Sequence, residues 1–205
     1  MRTRSLGLPD VLRARKDQRL VPHVALLNGW VDELRAGRWT PSFDPADGGI
    51  RARVLLLLES PGPTASLTGF VSMDNPNTTA ENLTCLLHLA GLPRRQVVLW
   101  NAVPWQMSEG GVVTPRPSQY AEAAPLTRHV LSLLPDLRVV VLVGRHAERA
   151  WPLVGSALPT LACPHPSPQN VNSRREAATL ALGTLVEAYK LVAGTRKRAT
   201  PLAEE

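Results

Sequence analysis

Four short apolar runs punctuate this chain, at residues 54–58, 97–100, 137–143 and 160–163. A strand covered on both faces reads as a continuous apolar run rather than as an alternation, so each run predicts a buried strand. Between the runs the period changes. Val24, Leu27, Val31 and Leu34 recur at helical spacing within residues 21–35, and Gly37 ends that stripe. Leu83, Leu86, Leu87 and Ala90 form another stripe, opened by a capping box of Thr78 and Glu81 and stopped by Gly91. Ser118 predicts the cap of a helix reaching residue 134, and Gly144 precedes a helix through Trp151. Ser173 and Glu176 make a second capping box, opening a long helix to about Leu191. Strands alternating with helices predict a three-layer α/β/α sandwich around a central, mainly parallel four-stranded sheet.

The flanks read differently. Residues 1–19 alternate basic and small side chains and predict a flexible basic arm. Residues 20–193 predict a single domain, and residues 194–205 a polar, disordered tail. No apolar stretch reaches the roughly 18 residues of a membrane span, and the N-terminus lacks an apolar signal core. The expectation is therefore a cytoplasmic protein without a membrane partner. Cys85 and Cys163 are too few for a disulfide framework or a four-thiolate cluster, and both fall on apolar stretches that predict core positions. The net charge of +6 suits a polyanion such as DNA, and equally a soluble basic surface.

Chemistry concentrates where the apolar runs stop. Glu59 follows the first run and precedes Ser60, Pro61 and Gly62, a stiff turn with one permissive glycine. Its carboxylate suits orienting a water or balancing a developing cation, or simply capping a backbone amide. Asn101 follows the second run. Its amide has donors and an acceptor, enough to read a base edge or to satisfy its own loop. His165, between Pro164 and Pro166, follows the fourth run on a restricted backbone. A neutral imidazole there suits donation to an oxygen gaining negative charge. His23, His88, His129 and His146 lie in helical contexts and read as structural or surface residues, His146 less clearly because it closely follows the third run. Phe70 suits stacking on an extruded base, or a place in the core. Residues 74–77 form a polar turn that reads as helix entry. In open α/β sheets, ligands bind outside the carboxyl ends of the strands, so these loops predict one site.

Taken in order, the three loops resemble the uracil-DNA glycosylase superfamily. Leu58-Glu59-Ser60-Pro61-Gly62 is similar to the water-activating Gly-Glu-Ala-Pro-Gly loop of the Glu-type bacterial members. Asn101-Ala102-Val103 resembles their uracil-reading segment, and His165-Pro166-Ser167-Pro168 matches their His-Pro-Ser-Pro motif. Phe70 matches the stacking aromatic in position. The likeness spans roughly residues 43–191. It implies a monomer that hydrolyses the N-glycosidic bond of uracil, or a related deaminated base, in DNA. Glu59 and His165 would be catalytic. Asn101, Phe70, Ser60 and Gly62 would bind the base. Ser167, Pro168, Gln169, Asn170, Val171, Ser173, Arg174 and Arg175 would contact DNA, with the helix start beyond Ser173 as an anion site.

The chain departs from that family at four points. Leu58 replaces the glycine before the acid. Two cysteines cannot hold the iron–sulfur cluster of the thermostable group, so no cofactor is expected. The wedge leucine of the best-known members falls at Gln169, leaving Val171 or another loop for that role. The aromatic that excludes thymine in the most stringent members falls at Gly62. Leu58 and Gln169 favour a second reading, a DNA damage-binding protein of the same fold with little cleavage. A third reading is a hydrolase of free nucleosides or nucleotides that uses Glu59 and His165.

Overall fold

The computed structural model describes residues 5–107, 113–173 and 175–193. Helices α1 (Pro9–Asp17) and α2 (Pro22–Arg35) lead into the short strand β1 (Ser42–Phe43). Then come β2 (Val54–Leu58), α3 (Pro63–Thr68), β3 (Phe70–Val71), α4 (Thr78–Leu89) and β4 (Val97–Asn101). The second half runs α5 (Pro117–Ser132), β5 (Val139–Val143), α6 (Arg145–Val154), β6 (Thr160–Cys163), α7 (Pro168–Ser173) and α8 (Arg175–Ala193).

The four apolar runs become one parallel sheet, in the order β4-β2-β5-β6. Alternation along each strand sorts the core into two halves. Leu55, Leu57, Val98, Trp100, Val140 and Leu142 face α2, α5 and α6. Val54, Leu56, Val97, Leu99, Val139 and Val141 face α4 and α8. Both faces are thus covered by helices, which is why β2, β4 and β5 carry no polar alternation; β6, expected to be buried like them, is an edge strand in which only Cys163 is buried. The predicted three-layer sandwich is the observed architecture.

Several local expectations need correction. Residues 9–17, expected within a flexible arm, form α1. Leu6 just before it is buried, and its amide donates to the Asp74 carbonyl at 2.9 Å. Arg15 on α1 reaches Asp44 at 2.6 Å and Asp74 at 2.9 Å, so long-range ion pairs dock a helix whose own sequence is largely polar. Arg94 completes the cluster, contacting Asp47 at 2.6 Å, Asp74 at 2.7 Å and Asp44 at 2.8 Å. Burial pushes the Asp47 carboxyl up to about 8, outweighing the Arg94 charge beside it. Cys85, expected in the core, is exposed on α4; the inward positions there are Leu83, Leu86 and Leu87. Cys163 is buried as expected, and burial raises its thiol to about 12. The cap of α4 is Asn77 rather than Thr78, with the Asn77 side chain accepting from the Ala80 amide. Arg116, not Ser118, occupies the cap position of α5. The tail at 194–205 lies outside the described residues.

Candidate active site

The strand ends bring the three loops together. Asn101 is the last residue of β4 and pairs in register with Leu58, the last residue of β2. The ladder then continues into the loops: Ala102 donates to the Leu58 carbonyl at 2.8 Å, and Val103 to the Glu59 carbonyl at 3.0 Å. Glu59 and Asn101 are therefore fixed beside each other by backbone geometry. On the other side of β2, the Gly144 amide after β5 donates to the Cys163 carbonyl at the end of β6, at 2.8 Å. His165 lies two residues further on, after Pro164.

Asn101 is buried, with 2% of its surface exposed. Its side-chain amide has no hydrogen-bond partner among the described residues. Glu59 is half-buried, with a side chain 24% exposed. Ser60 is also half-buried. Gly62 starts α3 in extended conformation, and a Cβ placed on it would meet nothing within 4 Å. The turn after Glu59 therefore leaves open space beside the loop.

The His165 loop is tethered from two sides. The Asn170 side chain donates to the His165 carbonyl at 3.0 Å, and the Asn82 side chain from α4 donates to the Pro166 carbonyl at 3.0 Å. Burial, and secondarily the nearby His146, lowers the His165 imidazole below its ordinary value. A neutral ring carries one N–H donor without bringing a full charge. Ser167 is half-buried, Pro168 opens α7 and Gln169 is exposed. Ser173, expected to cap the long helix, instead ends α7. The side chains of Val171, Ser173 and Arg175, and Arg174 as a whole, lie outside the described residues.

Phe70 lies on β3, which pairs in parallel with β1 at Ser42 and Phe43. Its ring is 1% exposed and belongs to the core. Asn75 donates to the Phe70 carbonyl at 3.0 Å and accepts from the Thr68 hydroxyl at 2.7 Å. The polar turn at 74–77 is thus more than helix entry: Asp74 joins the ion cluster, Asn75 holds the Phe70 turn and Asn77 caps α4. Phe70 also lines a recess of about 240 Å³ with Gly69, Thr68, Ser42, Lys16, Arg19 and Arg35.

Sequence reasoning passed over His146 and Tyr120. His146, in the first turn of α6, places Nε2 3.7 Å from Glu59 Oε1. Its Nδ1 lies 2.7 Å from the hydroxyl of Tyr120, a buried residue on α5. The signal available beforehand was only proximity to the end of the third apolar run. Burial, reinforced by the Glu59 charge, raises the Tyr120 phenol above its ordinary value, so it stays protonated.

Carboxylate, amide and imidazole thus stand at the same end of the sheet, a set suited to binding a polar heterocycle and stabilising charge beside it. A model of the Uracil DNA glycosylase superfamily matches residues 45–185. Among solved structures, the chain is similar to a solution NMR structure of a Methanosarcina acetivorans protein described as a candidate uracil DNA glycosylase. The two share 14% identity at a TM-score of 0.44, over 66% of this chain and 91% of that one. No curated protein matches.

Proposed function

For a chain that belongs to the uracil-DNA glycosylase superfamily, we infer hydrolysis of the N-glycosidic bond of uracil, or a related deaminated base, in DNA. The product would be an abasic site. The observation that carries this reading is the buried Asn101 at the end of β4, set beside the Glu59 loop by the β2–β4 ladder, with the His165 loop beyond β5 at the same end of the sheet. Uracil offers an N3–H donor and an O4 acceptor, and a side-chain amide answers both.

In this reading the bond to the base lengthens as the sugar becomes cationic and the base anionic. Neutral His165 donates to the base oxygen that gains charge. Glu59 holds a water or balances the cation from the opposite side. Extruding the base costs a few kcal/mol, least at a mispair such as U·G. The protein would act as a monomer on cytoplasmic DNA, with Ser60 and Gly62 around the base and the α7 region against the strand; a ring as buried as Phe70 supports the sheet from within the core.

The test is release of free base from oligonucleotides carrying U·G, U·A, T·G, hypoxanthine or xanthine, and from single-stranded U. His165→Ala should lose roughly 10²–10³ in rate, the usual loss of one donor to a developing anion. Glu59→Ala should also lose cleavage, with DNA binding retained in both. Tight binding without any base release would select the damage-binding reading. Activity on free nucleosides alone would select the small-molecule hydrolase.

A further inference from the structure

We propose that His146, held by Tyr120, is the positioning residue that aims the Glu59 carboxylate. This rests on the glycosylase reading for its consequence in catalysis, but its geometry stands apart from that reading. Three elements converge: Glu59 at the end of β2, Tyr120 on α5 and His146 on α6. Tyr120 and His146 are both buried, and the 2.7 Å contact between hydroxyl and Nδ1 fixes the ring plane.

The carboxylate selects the tautomer. Ionised Glu59 is acceptor-only. If Nδ1 carried the proton, the Nε2 lone pair would face that carboxylate and repel it. If the Tyr120 hydroxyl donates to Nδ1, the proton sits on Nε2 and points at Glu59. Every polar atom is then satisfied in one direction: Tyr120 O–H to Nδ1, and Nε2–H towards Oε1. The 3.7 Å separation exceeds a direct hydrogen bond. A small side-chain rotation or one bridging water closes it.

The purpose is directional. Glu59 follows a rigid strand, but its side chain is 24% exposed and has rotamers that turn away from the site. An oriented N–H behind the carboxylate removes that freedom and leaves the second oxygen for water or the sugar cation. The charged groups near this pair are Arg145 and Arg149 on α6, which act on the Tyr120 phenol, and the titratable neighbour is the His165 imidazole from the loop after β6. His146 transfers no proton to substrate in this scheme; it acts through Glu59.

The experiment combines single-turnover base release with nitrogen NMR of the histidine rings. His146→Ala should lower the rate roughly 10- to 100-fold, the worth of one hydrogen bond to a charged group, with DNA affinity unchanged. His146→Gln keeps a donor near the Nε2 position and should recover part of the loss. Tyr120→Phe should slow the wild type but have no further effect in the His146→Gln background. In the Glu59→Gln background, His146→Ala should add little, because the two act as one unit. A full additional loss in that background, or a wild-type rate for His146→Ala, would overturn the proposal.

The NMR arm separates this proposal from the functional reading. It expects the Nε2–H tautomer of His146 in the wild type, and a mixture in Glu59→Gln. This is measurable even if no base is released from any substrate, an outcome that would end the glycosylase reading alone. An Nδ1–H tautomer, or one indifferent to Glu59→Gln, would overturn the positioning role whatever the activity.

Discussion

Gly144 and His165 are in such close contact that a Cβ added to Gly144 would lie 2.8 Å from the His165 Cβ. Gly144 also has φ +87° and ψ 163°, a region open essentially to glycine alone. Both facts place the β5–α6 turn as the floor on which His165 rests. Gly144→Ala should cost about 1–3 kcal/mol in stability from backbone strain. It should also displace the imidazole. A displacement of about 1 Å near reacting groups can cost on the order of 10²-fold in rate. Denaturant titration and single-turnover kinetics check the two parts. Unchanged kinetics in a destabilised variant would separate the turn from the site.

The His165 ring should remain neutral to lower pH than an ordinary imidazole, because burial, aided by His146, disfavours its charged form. Ring-proton NMR should give a midpoint below about 6.5. The linkage sign follows. Between the depressed folded value and about 6.5 the unfolded chain binds more protons, so this group makes stability fall as pH drops through that interval. His165→Ala should remove that contribution. A midpoint at or above the ordinary value would contradict the burial argument.

Asp47 works in the opposite direction. Its folded value of about 8 lies above the ordinary carboxylate range. From about pH 4 up to about 8 the folded state holds a proton that the unfolded chain has released. Stability from this group is therefore fully present at the acid end and falls as pH rises through the window. Asp47→Asn keeps a neutral side chain of similar shape, and its melting temperature should vary less with pH across that window than the wild type's. A parallel pH dependence in the two proteins would mean that Asp47 is ionised beside Arg94.

Lys16 lines the recess beside Phe70 and has no side-chain partner among the described residues, whereas Arg19 and Arg35 both contact Asp32. Excess positive charge there suits a DNA phosphate. Binding should weaken linearly in log–log plots against salt, and Lys16→Gln should reduce the slope by about one unit if it neutralises one phosphate. Fluorescence anisotropy over a salt series measures it, and an unchanged slope would remove Lys16 from the DNA contact surface.

What the amino-acid order determined alone was the sheet and the residues hung from its ends. The run at 54–58 is β2 residue for residue, and that at 160–163 is β6. Glu59 follows the first of these directly, Asn101 ends β4 and His165 lies two residues past β6, so their placement at one end needed only a parallel sheet. Apolar periodicity is a local property, and a strand buried on both faces has an unambiguous one. What only the tertiary structure decided were pairings between distant residues. Helix α1 has little apolar signal of its own and is held through Arg15 by Asp44 and Asp74, 29 and 59 positions away. Cys85 sits on an apolar helix but one step off its inward stripe. His146 meets Tyr120, 26 positions earlier, and Glu59, just past the end of β2. Such contacts depend on which helix each crossover lays against which face, and no local pattern of residues encodes that.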